Sequence, residues 1–138
     1  MAAPGHSDRT RPLCHEIESK ARSALAAIAG GRRVLGLTKH LFDDFTALGV
    51  SSEAELWKVL AELLEEIIAA QPAECYAGGH PPYRSYDEEM KNLELWPYRW
   101  MSPSQGKMMF LKFALKRDRQ GNWVYVHVDV HEDRPKRN

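Results

Sequence analysis

The chain has 138 residues, 43 % of them hydrophobic, and its 19 Lys/Arg balance 19 Asp/Glu. That length fits one compact core and not two ordinary domains, so a single domain over residues 13–138 is expected after a loose polar tail over 1–12. No run nears the roughly 18 apolar residues of a membrane helix, and the opening MAAPGHSDRTRPL lacks a secretory apolar stretch; the expectation is a soluble cytoplasmic protein without a membrane partner.

The zero net charge hides a segregation. Residues 1–37 hold six Lys/Arg and three Asp/Glu, 38–96 hold four and twelve, and 97–138 hold nine and four. A basic end can present an anion-binding surface, or opposed charged faces can simply aid solubility. Cys14 and Cys75 lack Cys-x-x-Cys spacing, which argues against a disulfide framework or a zinc knuckle and for two small buried side chains.

In chain order, Leu13, Ile17, Ala21, Ala24, Leu25 and Ile28 recur at helical steps and predict an amphipathic helix closed by Gly30 and Gly31. Thr38 is a plausible N-cap for a second helix using Leu41, Phe42, Phe45 and Leu48 and stopping at Gly49. Ser52-Glu53-Ala54-Glu55 is a capping box that opens a third helix with a wide apolar stripe from Leu56 to Ile68, ending before Pro72. Residues 77–89 form a loop rich in glycine and proline, with a short turn capped by Ser85 with Glu88. Residues 93–101 are extended, and Pro97 assigns them to an edge or a bulge. After the turn SPSQGK come two strong strands, 108–116 and 123–131. Helices first and strands later predict an α+β layer, helices packed on one face of an antiparallel sheet.

A two-residue turn at Gln120-Gly121 sets the register of those strands. It places Leu115 opposite Val126, Phe113 opposite Val128 and Leu111 opposite Val130 on a buried face. The other face then carries Lys116 opposite Tyr125, Ala114 opposite His127, Lys112 opposite Asp129 and Phe110 opposite His131. A solvated sheet face is the ordinary explanation of such a row. Two histidines beside two lysines point beyond it, because imidazoles titrate near neutrality.

His-x-Asp-x-His invites a zinc reading, but His127 and His131 lie about 13 Å apart along a strand, too far to share an ion with bonds of about 2.1 Å. An anion suits the face better. Lysines offer charge, aromatic rings offer stacking, and histidines offer proton transfer, the set needed to cleave RNA through its own 2′-hydroxyl without a cofactor. In that reading His131 is acid or base, Lys112 stabilises the crowded phosphate and Asp129 orients the imidazole, with His127 alongside. Arg99, Tyr125 and Lys116 supply a missing function or bind flanking phosphates, and Tyr83, Arg84 and His80 lie in a loop able to close over substrate. Trp96, Trp100 and Trp123 read more readily as packing than as stacking platforms.

The order of a helix, "ALGV" (47–50), a long helix, Tyr76, "LW" (95–96), "GKMMFLKFAL" (106–115) and a strand ending "VDVHED" resembles the motility quorum-sensing regulator toxins of the RelE-like superfamily of mRNA-cleaving toxins, over residues 38–133. The resemblance implies a RelE-like α+β fold, metal-independent RNA cleavage and neutralisation by a cognate antitoxin protein. Lys112 falls on a lysine of the family's Tyr-Leu-Lys-Ile strand. Phe110 stands where that motif has its catalytic tyrosine, His131 where the family has a C-terminal lysine, Ala77 where it has another lysine, and Pro97 where it has a glutamine. Two other classes compete: a protein-binding module (antitoxin, immunity protein or phage-encoded inhibitor) and a zinc-dependent hydrolase built on the histidine strand.

Overall fold

A computed structural model describes residues 14–36, 41–79, 82–85 and 91–133. The expected tail, Thr38 as a cap, His80, and the turn from Ser85 to Glu88 lie wholly or partly outside these residues. The elements run α1 (Cys14–Ala29), β1 (Arg33–Leu35), α2 (Leu41–Leu48), α3 (Glu53–Ala69), α4 (Pro72–Cys75), β2 (Leu95–Ser102), β3 (Lys107–Arg117) and β4 (Trp123–Glu132).

The three long helices stand where the apolar periodicity puts them, and each boundary has a local cause. Beyond α1, the Arg32 N–H donates to Ala27 O and Gly31 takes φ 79°, a left-handed stop that favours glycine. At the start of α3, Ser52 Oγ accepts from the Glu55 N–H at 3.2 Å, while the Glu55 carboxylate reaches back to the Ser51 N–H at 3.1 Å. Hydrogen bonds donated to that carboxylate, first from the Ser51 N–H and then from the hydroxyls of Ser51 and Ser52, hold it below its usual range. Pro72 does not merely end a helix; it opens α4, where its missing N–H is no loss.

The sheet is mixed and not antiparallel throughout. Its order is β1-β4-β3-β2, with β1 parallel to β4 and the other pairings antiparallel. Three residues, Arg33 to Leu35, are too few to show a period, and their strand conformation comes from docking on β4. Pro97 sits in β2 at the edge of this order, as its missing donor requires.

The core lies between the helices and one sheet face. Ile17, Ala21 and Ile28 of α1 and Leu56, Leu60, Leu63, Leu64 and Ile67 of α3 meet Trp96, Tyr98, Met109, Leu111, Phe113, Leu115, Tyr125 and Val130. Trp96 and Trp100 are buried as packing residues, and so is Cys75. Cys14 is exposed, contrary to expectation, because it begins α1 on the outward side. Phe42, expected on the inner face of α2, is 87 % exposed.

Candidate functional site

The hairpin between β3 and β4 positions the site, and its register differs from the one a two-residue turn sets. Asp118 N–H donates to Asn122 O, Gly121 N–H donates to Asp118 O, and Gly121 has φ 84°. Three residues therefore span the turn, the pattern of a type I turn followed by a left-handed glycine. Asp118 Oδ1 accepts from the N–H groups of Gln120 and Asn122, both at 2.9 Å, and fixes that shape. Near the turn the pairing is one residue away from the expected one: Lys116 faces Val124, Leu115 faces Tyr125, Ala114 faces Val126 and Phe113 faces His127.

A β-bulge between Lys112 and Phe113 then absorbs Val128 and restores the expected pairs: Lys112 with Asp129, Leu111 with Val130, Phe110 with His131. Without that extra residue the alternation past His127 would turn Asp129 and His131 toward the helices and Val130 away from them. With it, Val130 joins the core and both polar residues emerge on the other face. That face is thus divided. Toward the turn it carries the buried cluster of Ala114, Val126 and Val128; beyond the bulge it carries Lys112, Asp129, Phe110 and His131.

Two candidate residues are corrected by this register. Tyr125 and His127 belong to the core face, both at 0 % exposure, and neither can meet a substrate on the open face. They join a residue that periodicity did not single out. His127 Nε2 lies 2.9 Å from Asp44 Oδ2, and Tyr125 Oη lies 3.1 Å from His127 Nδ1. The chain of bonds is complete when Nε2–H donates to the carboxylate and the tyrosine O–H donates to Nδ1. Asp44 Oδ1 also accepts from the Val130 N–H at 3.5 Å, so one carboxylate holds β4 on both sides of the bulge. Burial, and after it the negative Asp44, push the Tyr125 hydroxyl well above its ordinary range. No sequence signal marks Asp44 as special; an Asp in a first helical turn is ordinary.

The open face gathers Lys112, Asp129 and His131. His131 Nε2 is 3.4 Å from Asp129 Oδ2, its Nδ1 is 2.8 Å from Glu132 O, and its side chain is 47 % exposed. Both ring nitrogens thus lie near oxygen atoms of neighbouring residues. Phe110 stacks on the imidazole at 5.0 Å between centroids and 21° between planes. Lys112, half-buried, lies opposite Asp129 and diagonal to His131, a separation of roughly 7–8 Å between such strand neighbours. A pocket of about 270 Å³ lined by Asp43, Asp44, Asp129 and His131 opens beside them.

Arg99 lies in the same cross-strand row as Phe110 and His131, with its guanidinium on Asp133 at 2.7 Å. Lys116 is exposed on this face but about 13 Å along β3 from Lys112. Tyr83 and Arg84 are not brought to the site. Tyr83 O accepts from Leu95 N–H and Arg84 pairs with Glu94 on the far side of β2, two strands from β4. The histidine-strand zinc set is not assembled either, because His127 and His131 face opposite sides of the sheet. Among the described residues no three His, Cys, Asp or Glu converge as metal ligands, and no helix is long and apolar enough to cross a membrane.

Comparison with protein families, with curated proteins and with solved structures returns no match for this chain.

Proposed function

We propose that this chain is a metal-independent endoribonuclease toxin of RelE-like architecture, neutralised by a cognate antitoxin protein, that cuts RNA on the sheet face around His131. One observation carries the reading: Lys112, Asp129 and His131 stand together on adjacent strands, with the imidazole near a carboxylate and open to solvent. The RNA 2′-oxygen bonds to phosphorus as the P–O5′ bond breaks, leaving a 2′,3′-cyclic phosphate. The 2′ proton passes to water, and His131 Nε2–H protonates the departing 5′-oxygen. Asp129 orients the imidazolium, Lys112 offsets charge on the phosphate, and Phe110 fixes the ring plane. Positioned proton transfer of this kind is worth about 10²–10⁴-fold.

Induced expression should arrest bacterial growth, and purified protein should release fragments ending in cyclic phosphate. His131→Ala should lower that rate by about 10²-fold or more and Lys112→Ala by a smaller factor, both relieving the arrest. Cleavage unchanged in both variants removes the proposed site. A second reading, a protein-binding module, is favoured by Phe42, an aromatic ring almost wholly in water. A copurifying protein released by Phe42→Ala, with no RNA cleavage by the free chain, selects it.

A further inference from the structure

We infer that the turn end of the hairpin is a separate phosphodiester-binding surface, built from Lys20, Arg32, Arg33 and Arg117, that takes an RNA strand. These cations come from α1, the β1 segment and β3 and converge on two indoles. Lys20 Nζ lies 4.4 Å and the Arg117 guanidinium carbon 3.7 Å from the centre of the Trp123 ring. Arg32 Nε donates to the carbonyl of Trp123 at 3.0 Å. The Arg33 guanidinium carbon is 5.5 Å from the Trp57 ring centre, and its Nη1 donates to Ile28 O at 2.9 Å. Arg117 also donates to Gly121 O.

Long cationic side chains are ordinarily mobile or paired with carboxylates. These are held by rings and carbonyls, and among the described residues none of the four lies within 4.0 Å of a carboxylate. Two acids nearby are engaged elsewhere: Glu53 accepts from Trp57 Nε1, and Asp118 accepts from the turn's N–H groups. Immobilised guanidinium groups with N–H donors to spare suit phosphate oxygens, and ordering them beforehand lowers the entropy lost on binding. The surface is distinct from the His131 face. Trp123 and His131 lie about 26 Å apart along β4 and on opposite sides of the sheet. That the strand is RNA rests on the cleavage reading above; that the surface takes a phosphodiester backbone rests on its own charges.

The test is fluorescence anisotropy with a labelled 2′-O-methyl oligoribonucleotide, which cannot be cut through its 2′-oxygen. Four phosphate contacts on a single strand give a slope of log K against log[salt] of about −2.8, a loss of about fifty-fold between about 50 and 200 mM salt. Arg33→Gln/Arg117→Gln should halve that slope, so the same salt change costs only about sevenfold. Lys107→Gln, at the other end of β3, should leave the slope unchanged. Circular dichroism checks folding, and the exposed single change Arg33→Gln, expected near −2.1, serves if the double variant does not fold. A wild-type slope near zero, a double variant indistinguishable from wild type, or loss of binding on His131→Ala alone overturns the inference. Salt-sensitive binding of the expected slope by a protein that leaves unmodified RNA intact sustains the surface while the cleavage reading falls.

Discussion

His127 and His131 sit four residues apart in one strand and have opposite fates. His127 has both ring nitrogens engaged by Asp44 and Tyr125 in a layer closed to solvent, so removing the ring leaves a carboxylate and a phenol without that partner. His131→Ala removes a half-exposed ring on the far face. Urea unfolding should therefore show His127→Ala destabilised by about 3 kcal/mol or more and His131→Ala by about 0.5 kcal/mol or less. Equal losses would mean that the two rings are not on opposite faces.

Two local elements make that difference. The three-residue turn advances the pairing by one residue and the bulge at Val128 returns it, so the core receives Tyr125 and His127 on one side of the bulge and Val130 on the other. Gly121 is the key to the turn. At φ 84°, with nothing within 4 Å of an added Cβ, it pays only in backbone conformation when replaced. Gly121→Ala should cost about 1–2 kcal/mol, measured by denaturant midpoint at unchanged slope. The alternating valines and the Leu111–Phe113–Leu115 row made both strands legible in the sequence. The bulge was not legible, because an extra Val in a row of valines leaves no mark on a period-two pattern.

Across the whole molecule, helix layer and sheet are tied by polar bonds as well as by the core. Glu66 of α3 accepts from Trp100 Nε1 at 3.0 Å, from Ser102 Oγ at 2.6 Å and from the Ser104 N–H at 3.1 Å. Burial works to raise the Glu66 carboxyl, but the bonds from Ser102, Ser104 and Trp100 together outweigh it and leave it below the usual value of 4.5. A carboxyl depressed in the folded state contributes stability above its unfolded pKa and loses that contribution as the pH falls through the folded value. The wild type should exceed Glu66→Gln in thermal midpoint at neutral pH, and the gap should narrow as pH drops below about 4.5. A gap independent of pH would separate Glu66 from this role.

Chain-local chemistry accounts for the three long helices with their stops, the glycine turn and the edge position of Pro97, whereas the common face of Lys112, Asp129 and His131 depends on the bulge at Val128. The former follow from a period, a cap or a missing donor within a few positions. The burial of His127 and Tyr125, the short strand at Arg33 and the engagement of Asp44 arise from contacts between segments distant in sequence. Asp44 and His127 are 83 residues apart, and nothing local in either stretch encodes their meeting. It is set by the packing of α2 against the bulged strand, where the buried imidazole nitrogens find hydrogen-bond partners in Asp44 and Tyr125.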